Sequence, residues 1–317
     1  MKAVFLDANT FSAKTDLSLP DCITDYIKYD STPNDTDIII TRCLDADIVI
    51  TNKVELTADA IAHLPKLKLI HVTATGINNI DIQACQTHGV IWKNVAGYST
   101  VSVPEHTFML ILNIMRAGIF YHHKATDGTW QSDGRFCLID EPIFDLSGKT
   151  LGIIGAGNIG QSVGRIATAF GMQVLYAEHQ GKTPRNDRYT DFDTVLATSD
   201  IISLHCPLTQ DTTHLINDKT ISKMTKRPII INVARGGVVD GMAVVNAINN
   251  GQLLGYGSDV FEQEPFANND PLLTLKDHPR VSFTPHNAWG SLHAQARLWE
   301  ILCSQINDFV NNQNKNH

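Results

Sequence analysis

Nowhere in this 317-residue chain is there a stretch of about eighteen uncharged apolar residues, so nothing in it is suited to cross a bilayer as a helix. The longest apolar run, "FMLILNIM" (108–115), follows Glu105 and His106 and precedes Arg116, and reads as a buried helix. The start, "MKAVFLDANTF", lacks the long apolar core of a secretion signal because Asp7 interrupts it. Lys and Arg never cluster into a run, and the net charge is −8. Phosphate-backbone binding needs clustered cations, so nucleic acid is disfavoured as a partner, and an anionic membrane surface for the same reason. The six cysteines, at 22, 43, 85, 137, 206 and 303, never form a C-x-x-C pair. Free thiols in a cytoplasmic protein are the expectation, and no metal site is expected. With 43% hydrophobic and 18% charged residues the composition is that of an ordinary globular protein, and the length suggests about two domains.

What is present is alternation. Short β-branched runs recur with helical segments between them. The first series is "KAVFLDA" (2–8), "ADIVIT" (46–51), "LKLIHVTA" (67–74) and "VIWKNV" (90–95), with a helix over 56–64 that Thr57 can cap. The second is "TLGIIG" (150–155), "QVLYA" (173–177), "DIISLHC" (200–206), "PIIINVA" (228–234), "LLGYGSDV" (253–260) and "RVSFTP" (280–285). Such runs suit parallel strands buried on both faces. The fold class expected is α/β, with two doubly wound parallel-sheet domains. The join falls near residue 99, where Ser99, Thr100 or Ser102 could cap a long helix. Residues 121–142 read as a long irregular segment. The last helix begins at 291, carries Leu298, Ile301, Leu302, Ile306 and Val310 at helical spacing, and should cross back to the first domain. This gives a first domain of 1–98 with 291–317 and a second of 99–290. The tail "NNQNKNH" (311–317) is expected to fray.

"LGIIGAGNIGQSVG" (151–164) places Gly155, Gly157 and Gly160 between an apolar strand and an amphipathic helix. In that setting the first glycine makes the tight turn, the second lets backbone approach a pyrophosphate, and the third lets helix and strand pack closely. The helix N-terminus adds free N–H groups. Glu178 follows at the end of the next strand, 18 residues after Gly160. A carboxylate there accepts from both ribose hydroxyls and repels a 2′-phosphate, so NAD (NADH) is expected rather than NADP. Three later strand ends deliver reactive side chains. "NVARGGVVDG" (232–241) gives Arg235, "GSDVFEQEP" (257–265) gives Asp259, Glu262 and Glu264, and "FTPHNAWGS" (283–291) gives His286. Strand carboxyl ends line the ligand crevice of open α/β sheets, so an Arg, a Glu and a His can converge there.

Together with "HCPLTQDTTHLI" (205–216), "TATGINNID" (73–81) and "GYSTVSVPEH" (97–106), these motifs resemble the D-isomer-specific 2-hydroxyacid dehydrogenases over nearly the whole chain. The text is most similar to the glycerate dehydrogenase/hydroxypyruvate reductase group. The resemblance implies a flavodoxin-like substrate domain, a Rossmann NAD-binding domain and reversible reduction of a small 2-keto acid between them. D-lactate dehydrogenase, glyoxylate reductase and, outside enzymes, an NAD-sensing corepressor are the alternatives. The implied roles are a substrate clamp for Arg235, a proton donor for His286 and a partner carboxylate for Glu264 that favours the charged imidazole, although Glu262 is nearer in sequence to the preceding strand. Asp259 would accept from the nicotinamide carboxamide. Further implied cofactor contacts are Asn158 and Ile159 at the phosphate turn, Cys206, Pro207 and Thr212 beside adenosine, Val103 beside the nicotinamide, and Val233, Ala234, Arg235 and His286. Thr75 and Gly76, and also Lys53, would complete the substrate carboxylate site. A homodimer built through 103–142 is implied as well.

Overall fold

A computed structural model describes residues 1–315, and the last two residues of the polar tail lie outside the described residues. The chain divides into two compact units, Met1–Ser99 with the chain from Gly290 onward, and Thr100–Trp289.

The first unit holds a five-stranded parallel sheet. In chain order its elements are β1 (Lys2–Phe5), β2 (Asp25–Lys28), α1 (Thr36–Cys43), β3 (Ile48–Thr51), α2 (Ala58–Ala62), β4 (Leu69–Val72), α3 (Ile82–His88) and β5 (Ile91–Asn94). The strand order is β2-β1-β3-β4-β5. Every residue of β3 (IVIT) and β4 (LIHV) is buried, as expected for parallel strands covered on both faces. Thr57 caps α2 by accepting from Ala60 N at 3.3 Å. The C-terminal helix, Leu292–Lys315, is part of this unit. It is held by Gln295 Oε1, which accepts from Ser12 N and Thr15 Oγ1, and by Gln305 Oε1 against His71 Nε2 at 2.8 Å. Burial pushes His71 down to about 4, so it packs as a neutral imidazole. The helix continues through Lys315, so residues 311–315 of the tail expected to fray are helical, and 316–317 lie outside the described residues. Side chains one turn apart keep it docked on the sheet: Leu298, Leu302, Ile306 and Val310 are all buried.

The second unit starts with α4 (Ser102–Met115), α5 (Gly118–Thr126) and α6 (Thr129–Asp133). There follow β6 (Thr150–Ile154), α7 (Asn158–Ala169), β7 (Gln173–Ala177), β8 (Tyr189–Thr190), α8 (Phe192–Thr198), β9 (Ile201–Leu204), α9 (Asp218–Ile221), β10 (Ile229–Asn232), α10 (Gly241–Asn249), β11 (Gly255–Ser258) and β12 (Val281–Phe283). Its seven strands run in the order β12-β11-β10-β9-β6-β7-β8, all parallel. The chain reverses direction across the sheet between β6 and β9, and the crevice beyond the strand ends at such a point is where ligands bind.

Three expectations need correction here. None of Ser99, Thr100 and Ser102 caps α4: the cap position is Val101, with no side-chain cap bond. Ser102 Oγ instead donates to Ala288 O at 2.5 Å. The segment 121–142 is not irregular throughout, because α5 and α6 occupy its first half. Gly128 and Gly134, both with left-handed backbone, bracket α6. Finally, β2 and β8 had no counterpart among the strands read from sequence. Both are edge strands with partly exposed residues, so they carry no apolar run.

Candidate active site

The phosphate loop joins β6 to α7. Gly155 has φ +102, and a Cβ there would lie 2.5 Å from the His205 carbonyl carbon. At Gly160 a Cβ would lie 2.1 Å from the Gly155 carbonyl oxygen, so helix and loop pack as the motif requires. A Cβ on Gly157 would meet nothing within 4 Å. That open space faces the start of α7, which no side chain caps. Uncapped N–H groups around Asn158 and Ile159 with room in front of them fit a pyrophosphate.

At the end of β7 the structure departs from expectation. Glu178 is only 3% exposed, and both of its oxygens are already engaged. Oε1 accepts from His179 N at 2.8 Å and from Arg185 Nη2, and His179 Nδ1 lies 2.9 Å from it and 2.7 Å from Arg185 Nη2. Oε2 accepts from Arg185 N at 3.0 Å and Arg185 Nε at 2.7 Å. The Arg185 guanidinium holds the Glu178 carboxyl well below the usual carboxylate range. A free carboxylate waiting for ribose hydroxyls is therefore not what this strand end presents.

Beyond β9, Cys206, Pro207 and Thr212 lie on one loop. Thr212 Oγ1 donates to Pro207 O at 2.6 Å and accepts from Thr209 N at 2.7 Å, which closes the loop on itself. Burial pushes the Cys206 thiol up to about 11, so it packs and does not act as a thiolate. Val103 is buried in the first turn of α4 and Ala234 just past β10, while Val233 is half-buried.

The three chemistry-bearing loops leave neighbouring strands at one level, since Asn232 is in register with Ser258 and Ser258 with Phe283. Arg235 is exposed, its Nη1 donating to Ala234 O at 2.7 Å. Asn232 braces the turn, with Nδ2 donating to Arg235 O at 3.0 Å and Oδ1 accepting from Ala234 N at 3.1 Å. His286 Nδ1 lies 2.5 Å from Glu264 Oε2, and Glu264 Oε1 accepts from Phe261 N at 2.9 Å. Glu262, the other candidate partner, lies instead 3.4 Å from His214 Nε2. Phe261 and Phe266 stack at 3.8 Å between ring centroids, and Phe283 packs edge-on to both. This aromatic brace carries the loop that holds Glu264.

Asp259 does more than the sequence suggested. It is 1% exposed, and it clamps the His286 loop from below. It accepts from Thr284 Oγ1 at 2.6 Å and from the backbone N–H groups of Asn287 and Ala288, each at 2.9 Å. His106 Nε2, from α4, sits 2.8 Å from Thr284 Oγ1 and 3.5 Å from Asp259 Oδ1. Because that hydroxyl proton already goes to Asp259, His106 Nε2 must be the donor to Thr284. Burial lowers the His106 pKa, against the pull of Asp259. His286 itself has φ +51, a left-handed conformation that costs energy for a histidine and is held by this clamp. Sequence reasoning missed His106. Its signal was its place as the last residue of the motif "GYSTVSVPEH".

Lys53, Thr75 and Gly76 lie in the first unit, on turns that follow the paired strands β3 and β4. Asp7, buried at the end of β1, accepts from the N–H groups of Asn52, Lys53 and Val54 and so shapes the first turn. Thr75 Oγ1 donates to Val95 O at 3.1 Å, and Asn94 Nδ2 donates to Thr75 O at 2.7 Å. Asp7 is a second residue the sequence reading did not single out. Among the described residues no group of three or more His, Cys, Asp or Glu could hold a metal ion. Among them also, no helix is long and apolar enough to cross a membrane, and all six cysteines are free.

Residues 108–288 match the family model described as D-isomer specific 2-hydroxyacid dehydrogenase, NAD binding domain. The chain is 38% identical to a glycerate dehydrogenase of Methylorubrum extorquens, over 98% of this chain and 96% of that one. It is 34% identical to a hydroxypyruvate reductase of Blautia hydrogenotrophica, over 98% and 97%. Among solved structures, a D-lactate dehydrogenase from Aquifex aeolicus complexed with NAD and lactic acid superposes with a TM-score of 0.77 at 28% identity, covering 99% of this chain and 97% of that one.

Proposed function

The chain belongs to the D-isomer specific 2-hydroxyacid dehydrogenase family, and from that premise we propose that it reduces hydroxypyruvate to D-glycerate with NADH, reversibly, and accepts glyoxylate as a smaller substrate. The observation that carries this reading is the 2.5 Å contact between His286 and Glu264, on loops that leave strands in register with the one before Arg235. A dinucleotide held at the phosphate loop would supply the hydride chemistry. The protein's part is to bind, orient and protonate. Glu264 accepts from His286 Nδ1, which leaves Nε2 as the nitrogen that gives its proton to the carbonyl oxygen. The Glu264 carboxylate orients the ring through this contact at Nδ1. Arg235 presents a planar fork of donors to the substrate carboxylate and carbonyl. Asp259 and His106 hold the loop so that the imidazole stays at one height. Lys53, Thr75 and Gly76 are the first-unit residues assigned to the substrate carboxylate. The similarity to relatives named glycerate dehydrogenase and hydroxypyruvate reductase supports the choice of keto acid.

Following NADH absorbance with hydroxypyruvate, glyoxylate, pyruvate and phosphohydroxypyruvate tests this directly. Hydroxypyruvate is expected to give the highest kcat/KM, with a D-configured product. A higher value for pyruvate would make the protein a D-lactate dehydrogenase. No turnover with any of them would leave a binding protein of the corepressor type.

We also assign a homodimer, formed through α4–α6 and the segment after them. Phe136 is 95% exposed and Ile139 69%, and Met109, Ile119, Trp130 and Ile143 are exposed on the same stretch of chain. Apolar exposure of that extent is costly in water and fits burial against a second copy. Light scattering should give twice the chain mass; a monomer at every concentration would refute the assignment.

A further inference from the structure

The end of β7 carries a charge arrangement that the dehydrogenase reading does not use, and the inference drawn from it rests on that reading. We propose that Arg185 is a specificity-determining residue of the cofactor site: it neutralises Glu178 and lets the ribose end accept a 2′-phosphate, so that the protein binds NADPH as well as NADH.

A carboxylate at the end of the second Rossmann strand selects NAD in two ways. It accepts from the two ribose hydroxyls, and it repels a phosphate in place of one of them. Glu178 is poorly placed for either. Four N–H groups, from His179 N and from Arg185 N, Nε and Nη2, already converge on its two oxygens, about as many as a carboxylate can accept. Its charge is matched by the guanidinium at contact distance, so the field that a ligand meets is that of an ion pair and not of a lone anion.

The cation of this pair is the exposed member. Arg185 is 47% exposed where Glu178 is 3% exposed. The guanidinium grips the carboxylate through Nε and Nη2, and Nη1 makes none of these bonds. Its plane sits over the Tyr189 ring, 4.4 Å from the centroid, which fixes its orientation. Arg188 lies likewise over Tyr176, at 4.9 Å, on the neighbouring strand. The His179 ring stands 73% exposed beside them, with Nδ1 turned to the pair. A dianionic 2′-phosphate arriving here therefore meets donors and positive charge, with the carboxylate shielded behind them. NADH remains acceptable because its ribose hydroxyls can accept from the same nitrogens, or take the carboxylate if Arg185 swings out.

The test titrates the full-length protein with NADH and with NADPH, each alone, by calorimetry or quenching of protein fluorescence, so that the keto acid plays no part. The wild-type Kd values are expected to lie within about tenfold of each other, whereas an unshielded carboxylate would disfavour NADPH by about a hundredfold or more. Arg185→Ala should raise the NADPH-to-NADH ratio of Kd values by about tenfold or more. Arg185→Lys keeps a charge but not the fork, and should fall between the two; it also covers the case in which the alanine variant fails to fold. A wild-type preference for NADH beyond about a hundredfold would overturn the proposal. So would a ratio unchanged in both variants. Binding of neither dinucleotide by the wild-type protein would remove the dehydrogenase reading itself, a result distinct from strong discrimination between the two.

Discussion

His286→Ala is expected to lower kcat for keto-acid reduction by about two decades or more, with dinucleotide binding largely kept. A positioned general acid contributes about a hundredfold to ten-thousandfold. The structure offers no substitute at this position, because Glu264 is the partner of His286 and Glu262 faces His214. The backbone needs a control. Residue 286 has φ +51, where alanine is strained. Asparagine tolerates that conformation better, so His286→Asn separates the loss of the acid from distortion of the loop. Both variants should be slow by a similar factor. Steady-state kinetics with the best keto acid, together with dinucleotide titration, decides the matter. Turnover near wild type in His286→Asn would end the proposed role. Glu264→Gln should be milder, by about one to two decades, since the amide keeps a hydrogen-bond acceptor but not the charge.

The second large effect comes from a residue with no side chain. A Cβ on Gly236 would lie 1.9 Å from the Phe261 carbonyl carbon, 2.1 Å from its oxygen and 2.3 Å from Glu262 N. All three are backbone atoms, so no side-chain rotation can relieve the clash. Gly236→Ala must therefore push the Arg235 turn away from the loop that carries Glu264, by about 1 Å or more given ordinary contact distances. Misplacement of that size costs about a hundredfold in rate, even where every reactive group survives. Overpacking of this kind also destabilises by about 1–3 kcal/mol or more. A fall in kcat/KM of about a hundredfold, with a lower melting temperature, is the expected result. Full activity at unchanged stability would mean that the two loops are not in contact as described.

Much of this molecule could be read from its residues. Runs such as "IVIT", "LIHV" and "IIIN" are apolar at three of four positions, and in the structure each is a buried parallel strand. β10 shows the same burial along all four residues. The phosphate loop was equally legible, because Gly155 and Gly160 answer to local geometry that no other residue satisfies. Edge strands were not legible. "DYIK" and "YT" are half in water, so their sequences carry no periodic signal, and they are strands only because β1 and β7 offer them a ladder. The helices at 118–133 were missed for a related reason. Their residues bury nothing fully, and Gly128 and Gly134 mark boundaries that composition alone reads as loop.

The sequence by itself determined the succession of buried strands, the dinucleotide turn and the three strand ends from which Arg235, Glu264 and His286 emerge, since each depends on residues within a few positions of itself. Only the tertiary structure decided which glutamate meets His286, that Asp259 and His106 clamp its loop, and that Arg185 closes over Glu178. Those are choices among side chains brought together by register and loop path, and a linear pattern holds no information on distance between them until the sheet has set it.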